Sequence, residues 1–315
     1  SEIALPANVD ETFVCVLSSL NLENWDEMKE TDAVETMTVF LDTVCEEFIQ
    51  KLEQYQNSDS AEMRDTAYLL RRVYNFAKNH RALGMGVLGW HSYLQKNKIA
   101  FDDGKAYALN EQIFSELQAR SHKASQDMAE WWGEPEILKG YGRRNTTTMA
   151  IAPTKSSSYI LGQNSMGVEP FHSNMFIHDL DKADATFKIP YLEQVLEEKG
   201  QNTADTWLSI QKADGSVQHL DCLSKHEKNV FKSWVEIDQM AIVRQAAERQ
   251  PYIDQGQSLN LRFRHDVDAE TVDEILLNAW ELGLKTLYYQ FAQNAAQQFL
   301  KENKEQQFEC VSCEA

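Results

Sequence analysis

Apolar positions along the chain recur mostly at three- and four-residue steps. From Asp32 to Leu52, Val34, Met37, Leu41, Val44, Phe48 and Leu52 form one stripe, which predicts an amphipathic helix and places Cys45 on its buried face as a small hydrophobe. Similar spacing predicts helices from Ala61 to about Asn79, Asn110 to about Trp131 and Lys228 to Arg249. Between them lie short apolar runs of strand character: Thr12 to Leu17, Ala82 to Val87, Thr146 to Ala152 and Ser258 to Phe263. Helices alternating with short strands predict an α/β fold with a largely parallel sheet or barrel. Asp214-Gly215, between Ile210 and Val217, reads as a hairpin turn. No internal repeat is visible, and the polar run Lys301 to Glu309 is the only linker-like stretch.

Composition narrows the function classes. With 315 residues, 43% of them hydrophobic, and seven Trp, the chain can bury a sizeable core. A formal charge of −19 opposes a nucleic-acid face, which needs clustered Lys and Arg, and only short basic pairs such as Arg143-Arg144 occur. No apolar run approaches the roughly 18 residues of a membrane span. Five cysteines, an odd count with no secretory signature, point to a reducing cytoplasm where thiols are catalytic or buried.

Several motifs carry candidate chemistry. Cys310 and Cys313 form a Cys-x-x-Cys pair behind a polar run, suited to thiol–disulfide exchange on a mobile tether; half of a metal site and an idle tail are the competing readings. A zinc site needs four ligands, and no second such pair exists; the histidine pairs His172/His178 and His219/His226 lack the spacing as well. Cys222 stands among apolar neighbours and reads as packed. Gly84-Met85-Gly86-Val87-Leu88-Gly89 satisfies the dinucleotide fingerprint formally, but polar residues precede it and the following helix is short, so close packing through small residues is the better reading. Thr146 to Ser158 runs from a threonine-rich strand through Pro153 into Thr154-Lys155-Ser156-Ser157-Ser158. That cluster could present helix N–H groups to an anion or merely cap the helix. Tyr288 and Tyr289 are adjacent and, if in a strand, point to opposite faces.

Taken in order, Glu2-Ile3-Ala4-Leu5-Pro6, Arg144 to Ser158, Met166-Gly167-Val168-Glu169-Pro170, Tyr288-Tyr289 and the terminal Cys-x-x-Cys give the chain its likeness. It resembles the C-terminal half of the large, catalytic subunit of class I aerobic ribonucleotide reductase. The resemblance implies the C-terminal half of a ten-stranded α/β barrel over residues 1–300 and a flexible redox tail over 301–315. It implies reduction of ribonucleoside diphosphates to deoxyribonucleotides by radical chemistry. Glu2 matches the general base for the ribose 3′-hydroxyl, and Cys15 one of two thiols oxidised during turnover. Tyr288 and Tyr289 match the pair that passes an oxidising equivalent inward, a coupled electron and proton transfer that does not require ionising a phenol of pKa about 10. Pro153, Thr154, Lys155, Ser156, Ser157 and Ser158 match the substrate diphosphate loop, and Lys155 and Tyr159 depart from the residues many relatives carry there. Cys310 and Cys313 match the thiols that re-reduce the active-site disulfide, and the roughly 20 residues after Tyr289 would reach at most about 70 Å. Glu169-Pro170 matches a stretch near the substrate without an assigned step.

In the family this loop reads Asn-x-Cys-x-Glu, so with Ser1 as the residue before Glu2 the radical-forming cysteine would occupy the position just before Ser1. The expectation is therefore a chain inactive alone, either an excised piece or one half of a split enzyme, completed by an N-terminal large-subunit polypeptide. The same resemblance implies no cofactor or metal held by this chain. It further implies a radical from a metal-containing, diiron tyrosyl-radical small subunit, electrons from thioredoxin or glutaredoxin, and a dimeric large-subunit assembly. A stand-alone thiol–disulfide oxidoreductase, a non-catalytic interaction fragment and a cobalamin-dependent relative are the alternatives; the tyrosine pair argues against the last.

Overall fold

The computed structural model describes residues 2–180, 183–264 and 266–292. Its spine is a run of parallel extended segments. β1 (Val16–Asn21) pairs in parallel with β2 (Leu83–Leu88), from Val16 opposite Leu83 to Asn21 opposite Leu88. Met85 bridges Met149, and Ile151 bridges Gln257, both in parallel. Antiparallel β3 (Met175–Leu180) and β4 (Ala183–Lys188) form a separate hairpin. β5 (Leu261–Phe263) then pairs in parallel with β6 (Gln290–Ala292). The spatial order is thus β1, β2, the 147–151 segment, the 255–263 segment with β5, and the 288–292 segment with β6. Parallel neighbours require crossover connections, and helices supply them.

β2 is buried at every position, as a strand covered on both faces must be. The main core joins this sheet to the helices Ala33–Gln56, Gly104–Trp132 and Gln239–Arg249 through Leu41, Leu83, Met85, Phe114, Leu117, Met149, Ile151, Ile242 and Leu261. A second cluster joins Ala100 to residues 171–231 and includes Leu192, Leu196, Trp207, Ile210 and Phe231; Cys222 packs against it.

Helix Ala33–Gln56 forms where its stripe predicts, with Cys45 buried. Its inward face, however, is centred on Leu41, Asp42 and Cys45, and Val44 is turned partly outward. Asp42 is 1% exposed and accepts from Arg81 Nε and Nη2 at 2.8 Å each, from Arg144 Nε at 2.9 Å and from Asn145 Nδ2 at 2.8 Å. A buried carboxylate with this many donors keeps its charge, and burial's upward pull on its pKa is outweighed by the two guanidinium groups.

Other elements differ from expectation. The strand expected at Thr12–Leu17 begins at Val16, because pairing with β2 sets its register. The Ala61–Asn79 helix is two, Ala61–Leu69 and Arg71–His80, broken at Leu70 as Arg72 turns to the carbonyls of Asn8 and Glu11. The Lys228–Arg249 helix is likewise interrupted. Lys225–Val230 ends, Ser233 forms a capping box with Glu236, and Asp238 caps Gln239–Arg249 through Met240 N at 3.0 Å. The Thr146–Ala152 strand is reduced to bridges, because Asp254 takes the N–H groups of Thr148 and Met149 at 2.6 and 3.0 Å. Asp214-Gly215 is no hairpin: both have positive φ, 54° and 84°, and Gly215 N bonds Ile210 O at 2.8 Å, closing the end of helix Ala204–Lys212.

Candidate active site

Glu2, Cys15, the Tyr288–Tyr289 pair and Glu169 each contact the 255–260 segment. The Glu2 carbonyl accepts from Gly256 N at 2.8 Å, and its carboxylate Oε2 accepts from Ser258 Oγ at 2.5 Å. The N-terminal stretch is thereby pinned against the 255–258 segment. Cys15, half-buried just before β1, faces Gly84 of β2. A methyl group there would sit 2.4 Å from Leu17 Cδ2 and 2.9 Å from Cys15 Sγ, so only glycine lets the thiol in. This is the close approach expected of the glycine-rich run. Burial pushes the Cys15 thiol up to about 11; a hydrogen bond from Gln255 works downward, and the Glu2 charge works upward.

Tyr288 and Tyr289 precede β6 and do not lie in a strand, so their rings do not point apart as strand geometry requires. The centroids are 4.1 Å apart at 48°. The pair is held by backbone pairing, with Tyr288 N donating to Leu259 O at 2.8 Å and Tyr289 N to Asn260 Oδ1 at 2.9 Å. The Tyr288 phenol is raised above its ordinary value by its hydrogen bond with Tyr289, and the Glu2 charge adds to this.

Thr154 enters the helix Lys155–Ile160 with a left-handed φ of 53° and gives no side-chain cap. Its Oγ1 instead accepts from Gly167 N at 2.8 Å, while Ser158, buried, bonds back to Thr154 O at 2.9 Å. Lys155, Ser156 and Ser157 are exposed. Arg144, in contrast, is spent on Asp42. Glu169, 3% exposed, accepts from Asn260 N at 2.7 Å, and burial raises its carboxyl to about 8. Among the described residues no cluster of His, Cys, Asp and Glu could hold a metal ion, and no helix is long and apolar enough to cross a membrane. Cys310 and Cys313 lie outside the described residues.

Residues 1–137 and 128–290 match the model of the ribonucleotide reductase barrel domain. The chain belongs to that family. It is 39% identical over 294 residues to the ribonucleoside-diphosphate reductase large subunit of Invertebrate iridescent virus 6, a match covering 92% of this chain and 29% of that protein. The putative large subunit of Frog virus 3 is 38% identical over 318 residues, covering 100% of this chain and 54% of its own length. A solved structure, the Actinobacillus ureae class Id ribonucleotide reductase alpha subunit, superposes with a TM-score of 0.84 at 51% identity, over 93% of this chain and 52% of that one. The chain thus spans about half or less of the relatives it matches. The α/β architecture expected from the sequence is that of this reductase barrel family.

The geometry brings Glu2, Cys15 and the tyrosine pair of this reductase-family chain onto the 255–260 segment. Gln255 and Ser258 were not singled out from the sequence. Their signal is a polar run, Gln255-Gly256-Gln257-Ser258, whose Gln and Ser side chains are buried where an ordinary sheet would place apolar ones.

Proposed function

We propose that this chain forms the C-terminal part of the catalytic barrel of a cytoplasmic ribonucleoside-diphosphate reductase. Within it, Glu2 is the general base at the ribose 3′-hydroxyl. Its carboxylate is oriented by Ser258 and can accept a proton without rearrangement. Cys15 is one of the two thiols that supply the reducing electrons, and Tyr288 and Tyr289 carry the oxidising equivalent. Pro153 to Ser158 receive the substrate diphosphate on the exposed Lys155, Ser156 and Ser157, with Lys155 adding charge complementarity. Residues 301–315 are the redox tail, in which Cys310 and Cys313 return electrons from thioredoxin or glutaredoxin.

The observation that carries this reading is the contact of the Tyr288 and Tyr289 rings on the same 255–260 segment that Glu2 and Cys15 contact. Among the described residues β1 pairs on one side only, which supports completion of the sheet by an N-terminal large-subunit polypeptide bearing the radical-forming cysteine. A radical-generating small subunit with a diiron tyrosyl-radical centre is the proposed source of oxidising power, acting on a dimeric large-subunit assembly.

The test is reconstitution. CDP reduction is measured for this chain combined with the complementary polypeptide, the small subunit and thioredoxin, using unmodified chain and Cys15→Ser. Turnover is expected in the mixture that holds the unmodified chain and not in the one that holds Cys15→Ser; equal turnover by Cys15→Ser would refute the assignment.

A further inference from the structure

We propose that Gln255 is the positioning residue for Cys15, locking the thiol and the Glu2-bearing segment into one register; this deepens the reductase reading and rests on it for its catalytic meaning. Gln255 is fully buried. Its Oε1 accepts from Ala4 N at 3.3 Å, two residues beyond Glu2. Its Nε2 lies 3.2 Å from Cys15 Sγ, 3.0 Å from Leu83 O and 3.1 Å from Thr147 Oγ1. One amide therefore ties together the N-terminal stretch, the thiol, β2 and the 147–151 segment. Its own backbone is fixed as well, with Gln255 N donating to Met149 O at 3.1 Å.

The two Nε2 protons face three acceptors, two of which are fixed neutral oxygens. A thiolate is a stronger acceptor than a thiol, so the contact with Sγ tightens when Cys15 loses its proton. Burial and the Glu2 carboxylate both oppose that loss, and Gln255 is the group that favours it. Thiol exchange proceeds through the thiolate, so the amide governs how readily Cys15 reacts, as well as where it sits. Asn would be too short by one methylene to keep both ends engaged.

The experiment reads Cys15 directly. Iodoacetamide alkylation of the purified full chain is followed from pH 7 to 10.5, with Cys15 and Cys45 peptides quantified separately by mass spectrometry. Cys45 is buried, with its Sγ against Ala77 O, and reports global opening. In Gln255→Leu the Cys15 profile is expected to move up by about one pH unit, slowing alkylation roughly tenfold at fixed pH, with Cys45 still protected. Should Cys45 become reactive, the same reading is taken from the isosteric Gln255→Glu, whose lost donor and added charge shift the profile the same way. A Cys15 alkylation rate unchanged or raised at fixed pH in the folded variant overturns the proposal. The readout needs no turnover, so failure of reconstituted CDP reduction would sink the reductase reading and leave the Gln255 result standing.

Discussion

Tyr288 and Tyr289 are sequence neighbours whose rings meet, centroids 4.1 Å apart. An extended strand would send them to opposite faces, so the chain leaves strand geometry here and regains it only at Gln290. Phe keeps the ring and removes the transferable proton. Tyr288→Phe and Tyr289→Phe are each expected to lower reconstituted turnover by roughly 100-fold or more, at least about 2.7 kcal/mol at the barrier, with thermal unfolding unchanged. Turnover within a few-fold of the unmodified chain would remove the pair from the mechanism.

Gly84 leaves room for the thiol of Cys15 and the Leu17 side chain. Gly84→Ala is expected to cost about 1–3 kcal/mol of stability, as overpacking does, and to change the accessibility of Cys15 to alkylation. A guanidinium chloride titration superimposable on that of the unmodified chain would contradict the close approach.

Asp42 collects Arg81, Arg144 and Asn145 in a site with almost no solvent. Removing the carboxylate leaves two guanidinium groups without their main counter-charge, so Asp42→Ala should lose about 3–5 kcal/mol in urea unfolding. A loss below about 1 kcal/mol, the scale of a surface pair, would show that solvent reaches the cluster.

Glu169 is raised by burial to about 8 from an ordinary value of 4.5, against the smaller downward pull of the Asn260 hydrogen bonds and of Arg249 and Arg262. The folded chain holds this proton up to about pH 8, whereas the unfolded chain releases it near 4.5. The folded state binds more protons across that window, so Glu169 makes stability decline as pH rises through it. Glu169→Gln keeps the acceptor for Asn260 N and removes the titration. Its stability curve should be flatter between about pH 5 and 8 than that of the unmodified chain, as read by denaturant midpoints; parallel curves would place the Glu169 pKa near the ordinary range.

Local pattern carried much of this protein. The three- and four-residue stripe was sufficient for helix Ala33–Gln56, and the apolar run from Ala82 predicted β2 to within a residue. The glycine-rich run was legible as close packing, and the ordered motifs pointed to the reductase family. Where helices break, local signals were present but faint: Ser233 with Glu236, and Asp238 before Gln239.

What the tertiary structure alone decided are contacts between residues far apart in sequence. Gln255 reaches Cys15 across 240 positions and Ser258 reaches Glu2 across 256. Asp42 is met by Arg144 from 102 positions away, which converts an apparently available cation into a structural one. Periodicity reports the environment of a face averaged over a helix or strand. It cannot report which polar group meets which in the interior, because burying any one of them is favourable only when a distant partner supplies its hydrogen bond.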